Sequence, residues 1–214
     1  MIDVAALIPA KSQSRRVPDK NFKPFAGGLN LVERKILALR SAGVRRIRLS
    51  SDDDRARRIA ASYDIEFQAR PQSLCGDNVN LQELFEFCLA SWSDTIVYWA
   101  HPTSPFISSN SISTALEIAS ISPTHCVLGV QKITDFLWTE LGPYNYDPHN
   151  QPRSQDLPPL YRITGGIHVA AGERFCHEGA VSFSPARFIN LSAFESIDID
   201  TSDEWDLAER LATG

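Results

Sequence analysis

The chain predicts an α/β protein with a doubly wound, mostly parallel sheet. Short apolar runs alternate with amphipathic helical segments as far as about residue 131, the pattern of parallel strands joined by helical crossovers. The first run is continuously apolar, as a strand covered on both faces requires. Two runs empty into loops that cannot extend a strand: a dense basic loop after Pro9 and the turn His101-Pro102-Thr103-Ser104-Pro105. Ligand loops of open parallel sheets sit at such carboxyl ends.

Residues 2–9 close at Pro9 and read as a buried strand. Asn30 and Glu33 form a capping box for a helix over 31–41, with Leu31, Ile36, Leu37 and Leu39 as its apolar face and Gly43 marking its end. Residues 44–50 alternate apolar and basic side chains as a strand. Residues 52–63 open with three acids and continue Ala- and Arg-rich, the charge order a helix dipole favours. A short strand near 65–68, a loop with Arg70-Pro71 and Gly76-Asp77, a helix over about 80–92 and an apolar strand over 95–100 repeat the unit. Prolines at 102 and 105 end that strand, because each removes a donor and fixes φ. A helix over about 110–121 and a strand over 125–131 follow.

Residues 132–160 break the rhythm with prolines at 143, 148, 152, 158 and 159, which marks a long arm or lid, or else a disordered surface loop. Order returns with a strand over 163–170, an Ile-alternating strand at 195–200 and a last helix capped by Thr201 and Glu204.

A chain of 214 residues is expected to form one domain, 1–214, with a real core. Net charge −5 and a pI near 5.5 argue against the broad positive face a nucleic-acid partner needs. The start carries Asp3 and too short an apolar run for a secretory signal, and no uncharged stretch is long enough to span a bilayer. Cys75, Cys88, Cys126 and Cys176 show no close pairing, so neither a disulfide framework nor a CxxC site is expected. Together these place the protein in the cytoplasm, with reduced thiols and no membrane partner.

The basic loop sets Lys11, Arg15, Arg16, Lys20 and Lys23 against one acid, Asp19. Cations so dense repel one another, and an anion neutralises them best. The loop lacks both GxxxxGK[ST] and the three-glycine dinucleotide pattern, so side-chain cations would replace a glycine-rich cradle; the plainer alternative is a solvated basic loop. Asp198 and Asp200 alternate with isoleucines, so on a strand both carboxylates leave one face within reach of a hard cation such as Mg²⁺, or form a solvated strand edge. His101, with Thr103 and Ser104, either hydrogen-bonds a hydroxylated ligand or only shapes the turn.

Taken together, several blocks resemble the cytidylyltransferases that activate nine-carbon acidic sugars, the CMP-N-acylneuraminate synthetases. They are Ile8-Pro9-Ala10-Lys11 through Pro18-Asp19-Lys20-Asn21, Ser50-Ser51-Asp52, Arg70-Pro71 with Gly76-Asp77, Pro102-Thr103-Ser104-Pro105, Gln155-Asp156-Leu157-Pro158-Pro159-Leu160-Tyr161-Arg162, and Ser196-Ile197-Asp198-Ile199-Asp200-Thr201. They run in order along nearly the whole chain. The resemblance implies a Rossmann-like fold of the nucleotide-diphospho-sugar transferase type and transfer of CMP from CTP to a 2-keto-3-deoxy sugar acid, with release of pyrophosphate.

By position, the resemblance places Ala10, Lys11, Ser14, Arg15 and Lys20 around the triphosphate, Asn21 near ribose and base, and Arg70 and Asn80 near cytosine. It places His101, Thr103, Ser104, Tyr161 and Arg162 on the sugar side, and Mg²⁺, or alternatively Mn²⁺, on Asp198 and Asp200. Lys11, Arg15, Lys20 and Asp200 would carry the catalysis, with the proton acceptor left open between an aspartate and a metal-bound hydroxyl. It further implies a homodimer, with the 132–160 arm reaching the neighbouring subunit.

The chain departs from the pattern at Lys11 (commonly arginine), His101 (glutamine), Ile107 (arginine), Leu81 (serine), Ser154 (arginine), Thr164 (asparagine) and Gly166 (alanine). These departures fall on sugar- and base-facing positions more than on the two carboxylates. A sialic, legionaminic or pseudaminic acid is the expected substrate. Arg16 also resembles the CMP-Kdo synthetase loop, so an octulosonic acid is the alternative. A nucleotide-binding homologue without catalysis and a polyanion-binding module are readings of other classes.

Overall fold

The computed structural model describes residues 3–76 and 78–214, so Asp77 and residue 2 of the first apolar run lie outside the described residues. Among the described residues nine strands and six α-helices follow in order: β1 (Val4–Pro9), α1 (Leu31–Ser41), β2 (Arg46–Ser51), α2 (Asp54–Ser62), β3 (Glu66–Ala69), α3 (Leu81–Leu89), β4 (Ile96–Trp99), α4 (Ser109–Ile121), β5 (Cys126–Ile133), β6 (Trp138–Thr139), β7 (Gly142–Pro143), β8 (Leu160–Ala171), α5 (Gly172–Glu178), β9 (Ala186–Asn190) and α6 (Ser202–Thr213).

The main sheet has seven strands in the order β3-β2-β1-β4-β8-β5-β9. β1 pairs in parallel with β2 and β4, β2 with β3, and β5 with β9. β8 is antiparallel to both of its neighbours. The two-residue period of β1 sends Ala6 and Ile8 to a core shared with α1, α2 and α4, and Ala5 and Leu7 to a second core under α3 and α5. Helices therefore cover both faces, as a doubly wound sheet requires. Strand order reverses between β1 and β4, which opens a crevice between the loops that leave their carboxyl ends.

Both anticipated capping boxes are present: Asn30 and Glu33 open α1, and Thr201 and Glu204 open α6. Two expectations need correction, and two elements are additional. Leu37 is 42% exposed, and Lys35 takes its place on the buried face of α1. Residues 195–200 form no strand, because no neighbour pairs with them. α5 and β9 were not anticipated; β9 is a half-exposed edge strand without a clear apolar run.

The ends of the expected 132–160 arm belong to β5 and β8. Between them β6 and β7 pair as a small separate hairpin. The arm is braced by Asn145, whose amide oxygen accepts from Leu137 N at 2.9 Å and whose Nδ2 donates to the Asp135 carbonyl at 3.0 Å. Trp138, Leu141 and Tyr144 nevertheless stand largely exposed.

Candidate functional site

The loop after β1 is fixed by contacts that its own sequence does not reveal. Ala10 N donates to the Ser50 carbonyl at 3.0 Å, extending the β1–β2 pairing by one residue. Ser12 then turns its backbone N–H and its hydroxyl onto the two carboxylate oxygens of Asp52, at 2.7 and 2.6 Å. Asn21 is buried, and its amide donates to the Lys11 carbonyl at 3.0 Å. Asp19, the loop's one acid, pairs with Arg55 on α2 rather than with the loop's own cations. Lys23 also leaves the cluster, its ammonium lying 3.8 Å from the Trp205 ring centroid.

The remaining cations, Lys11, Arg15, Arg16 and Lys20, line a cleft of about 810 Å³ at the sheet's reversal point. Opposite them stand Asp198 and Asp200. Arg16 reaches Asp200 at 3.0 Å; Lys20 reaches the same carboxylate at 3.2 Å and the Ile199 carbonyl at 2.7 Å. The carboxylate segment is held to the β4 turn, since Ile199 N donates to the Thr103 carbonyl at 2.9 Å. The two aspartates thus share the cleft even though no strand aligns them.

Asp198 sits over Gly165. A Cβ there would overlap the carboxylate, lying 2.9 Å from its Cγ, so β8 leaves a hollow that this side chain fills. The buried hydroxyl of Ser104 points at Asp198 Oδ1 at 3.4 Å. Below it Lys35 donates to the Ser104 carbonyl at 2.8 Å. Burial pushes the Lys35 ammonium down to about 8, against the opposing pull of Asp198. Among the described residues no group of three or more His, Cys, Asp or Glu side chains is gathered that could hold a metal ion.

His101 and Thr103 line the cleft at the end of β4. The His101 ring meets His168 edge to face, centroids 5.7 Å apart. Burial, then the nearby charges of His168, Lys35 and Lys20, lower His101 to about 3, so it stays a neutral imidazole. The far wall is apolar, with Leu81, Leu84, Phe85 and Trp99. Arg70 enters beside it, its guanidinium anchored on the Ser50 carbonyl at 2.7 Å and the Ser50 hydroxyl at 3.3 Å.

Of the anticipated site residues, Lys11, Ser14, Arg15, Lys20, Asn21, Arg70, His101, Thr103, Asp198 and Asp200 line this one cleft. Ala10 and Ser104 lie just behind it, fully or almost fully buried. Three do not join it. Asn80 caps α3 by accepting from Gln82 N at 2.9 Å. Tyr161 meets Phe188 at a tilt, ring centroids 5.3 Å apart, and Arg162 donates to Gln131 Oε1 at 2.7 Å, both at the base of the arm.

The departures from the family pattern divide likewise. Lys11, Leu81 and His101 face the cleft. Thr164, Gly166 and Ile107 do not line it: Thr164 donates to the Gly129 carbonyl, and a Cβ on Gly166 would collide with the buried Ile107 side chain. Asp52, Arg55, Lys35 and Gly165 were missed as site-building residues, because their roles arise from pairings across the fold. A second cleft of about 730 Å³, where α1 and α4 end beside the start of β1, has only Arg45 and Glu117 as charged residues.

The cytidylyltransferase family profile matches residues 5–140. The CMP-N,N'-diacetyllegionaminic acid synthase of Legionella pneumophila is 27% identical, over 97% of this chain and 95% of that protein. N-acylneuraminate cytidylyltransferase B of Danio rerio is 25% identical over 96% of this chain and 50% of its own length, so the chain spans about half of that relative. Among solved structures, CMP:2-keto-3-deoxy-manno-octonic acid synthetase complexed with CTP superimposes with a TM-score of 0.72 at 15% identity, covering 98% of each chain. The 4-diphosphocytidyl-2C-methyl-D-erythritol synthase of Anaerococcus prevotii gives 0.70 at 15% identity, covering 100% of this chain and 97% of that one. Both likenesses establish the Rossmann-like fold.

Proposed function

The chain belongs to the cytidylyltransferase family, and from that premise we propose that it transfers CMP from CTP to the anomeric hydroxyl of a nonulosonic acid of the sialic or legionaminic type. The observation that carries this reading is the cleft itself. Four cations and two carboxylates converge at the sheet's reversal point, opposite an apolar wall with Arg70 beside it. The acid is suggested by the names of the relatives, a diacetyllegionaminic acid synthase and N-acylneuraminate cytidylyltransferases.

In the reaction the anomeric hydroxyl gives up its proton to a cleft carboxylate or to solvent, its oxygen attacks the α-phosphorus as the bond to the pyrophosphate oxygen breaks, and charge develops on the phosphoryl oxygens. Lys11, Arg15, Arg16 and Lys20 bind that charge, and Ser14 adds a hydroxyl donor. Asp198 and Asp200 would hold a divalent cation, Mg²⁺ or Mn²⁺, which when bound neutralises the triphosphate and polarises the reacting phosphoryl group. The hollow over Gly165 supports that assignment, since it reserves space for one carboxylate at the cleft wall. His101 and Thr103 present neutral hydrogen-bonding groups to the hydroxyls of the sugar.

Exposed Trp138, Leu141 and Tyr144 on the arm support a homodimer in which the arm docks on a second copy. Free thiols at Cys75, Cys88, Cys126 and Cys176 suit a reducing cytoplasmic setting, and no helix among the described residues is long and apolar enough to cross a membrane.

A coupled pyrophosphate assay with CTP, Mg²⁺ and a panel of nonulosonic and octulosonic acids tests the reading. Release should require an acid, and the panel identifies which. CTP binding with no release from any acid would leave a nucleotide-binding protein without catalysis.

A further inference from the structure

We propose that Arg55 is a positioning residue for the triphosphate, acting with Asp52 to fix both ends of the basic loop from outside the cleft; this rests on the CTP reading above. Asp52 takes Ser12 at the loop's entry through two short hydrogen bonds. Arg55 takes Asp19 at its exit, Nη2 to Oδ1 at 2.6 Å and Nη1 to Oδ2 at 2.8 Å. Between those anchors run Ser14, Arg15 and Arg16, which line the cleft. Asp52, Asp53, Arg55 and Asp19 do not line it. One segment, the junction of β2 and α2, therefore holds both ends of the stretch expected to meet the phosphates.

A half-exposed ion pair by itself contributes little, and the Arg55–Asp19 side chains are 39% and 41% exposed. Two further features set this pair apart. Asp19 has φ 58°, a left-handed conformation that costs energy in a residue other than glycine and persists only where neighbours enforce it. Arg55 is itself aimed before it meets Asp19: Asp53 accepts from its Nε at 3.0 and 3.1 Å and from Nη2 at 2.7 Å, while Phe22 lies beneath the guanidinium at 4.8 Å. The bidentate fork thus fixes the backbone at the point where the loop turns from Arg16 toward Lys20.

A loop ordered in advance loses less freedom when it closes on a polyanion, so the clamp should appear as CTP affinity. The sugar acid is assigned to the His101 and Thr103 side of the cleft, and its KM should be indifferent to the clamp. A residue that merely supported the fold would not separate these two readouts.

The test is CTP titration calorimetry with steady-state pyrophosphate release on the full chain, comparing the native protein, Arg55→Ala, Asp19→Gly and the double variant. Glycine accepts a positive φ, so Asp19→Gly removes the carboxylate without added strain and keeps the test informative where Arg55→Ala folds poorly. Each single variant should weaken CTP binding about five- to tenfold, the double variant no more than the weaker single, with the sugar-acid KM within about twofold. Native CTP affinity in both single variants, or losses that multiply in the double, would overturn the clamp. If the native chain binds CTP but turns over no acid, catalysis is refuted while calorimetry still decides the clamp.

Discussion

Lys20 donates to the Ile199 carbonyl at 2.7 Å and to an Asp200 carboxylate oxygen at 3.2 Å, joining the loop after β1 to the segment before α6 across nearly the whole chain. Arg16 adds a second cation to the same carboxylate. On the function proposed above, a triphosphate entering the cleft would compete with Asp200 for these cations, and a divalent metal would compete with the cations for Asp200. The two ligands would then assist one another, each releasing what the other needs.

Asp200→Asn should lower turnover by at least about 100-fold while unfolding free energy falls by no more than about 1 kcal/mol, because the pairs it loses are partly exposed. Pyrophosphate release and urea unfolding measure the two quantities. Near-native turnover would remove Asp200 from the metal assignment.

Adjacent glycines on β8 should respond differently. Gly165→Ala pushes on Asp198, so turnover should drop more than about tenfold alongside a stability cost of about 1–3 kcal/mol. Gly166→Ala pushes on Ile107 in the core and should cost similar stability with KM values unchanged. Equal kinetics in the two variants would show that the Asp198 hollow has no catalytic consequence.

The neutral His101 predicts an acid sensitivity. Its folded value near 3 lies below the ordinary 6.5, so the unfolded chain binds the extra proton first as pH falls. The stability His101 contributes is whole above about pH 6.5 and is lost progressively toward pH 3. His101→Gln should flatten the decline between about pH 6.5 and 4 in chemical unfolding series; an unchanged slope would assign the acid sensitivity to other groups.

Removing the apolar surface of the arm, with Trp138→Ser and Leu141→Ser together, should convert a dimer to monomer in sedimentation without loss of secondary structure. These side chains are 67% and 100% exposed and support no core. A dimer of native strength would place the interface elsewhere.

Much of the fold was legible because its signals are local. An apolar run, a capping box and a proline-rich turn each act within a few residues, and α1, β4 and α6 follow from them. The carboxylate segment misled because Ile197 and Ile199 alternate as in a strand, whereas one buries in the small core beside Trp205 and the other packs against it. Lys35 was invisible as a site residue because only the Ser104 carbonyl and the charge of Asp198 explain a lysine on a buried helix face. The cleft's cations could be named from their density, but their anchors could not, since Asp52 lies 40 residues from Ser12 and Arg55 lies 36 from Asp19.

The Ile107–Gly166 contact restricts the order in which this protein can change. A side chain at 166 has no room while isoleucine fills the space, so the first permitted step is a residue at 107 that vacates that space and only the second an alanine at 166. Taken in reverse, the intermediate carries an overpacked core. The two positions are therefore sterically coupled, and an alanine placed at 166 alone meets a cost that it would not meet where the residue at 107 leaves that space open.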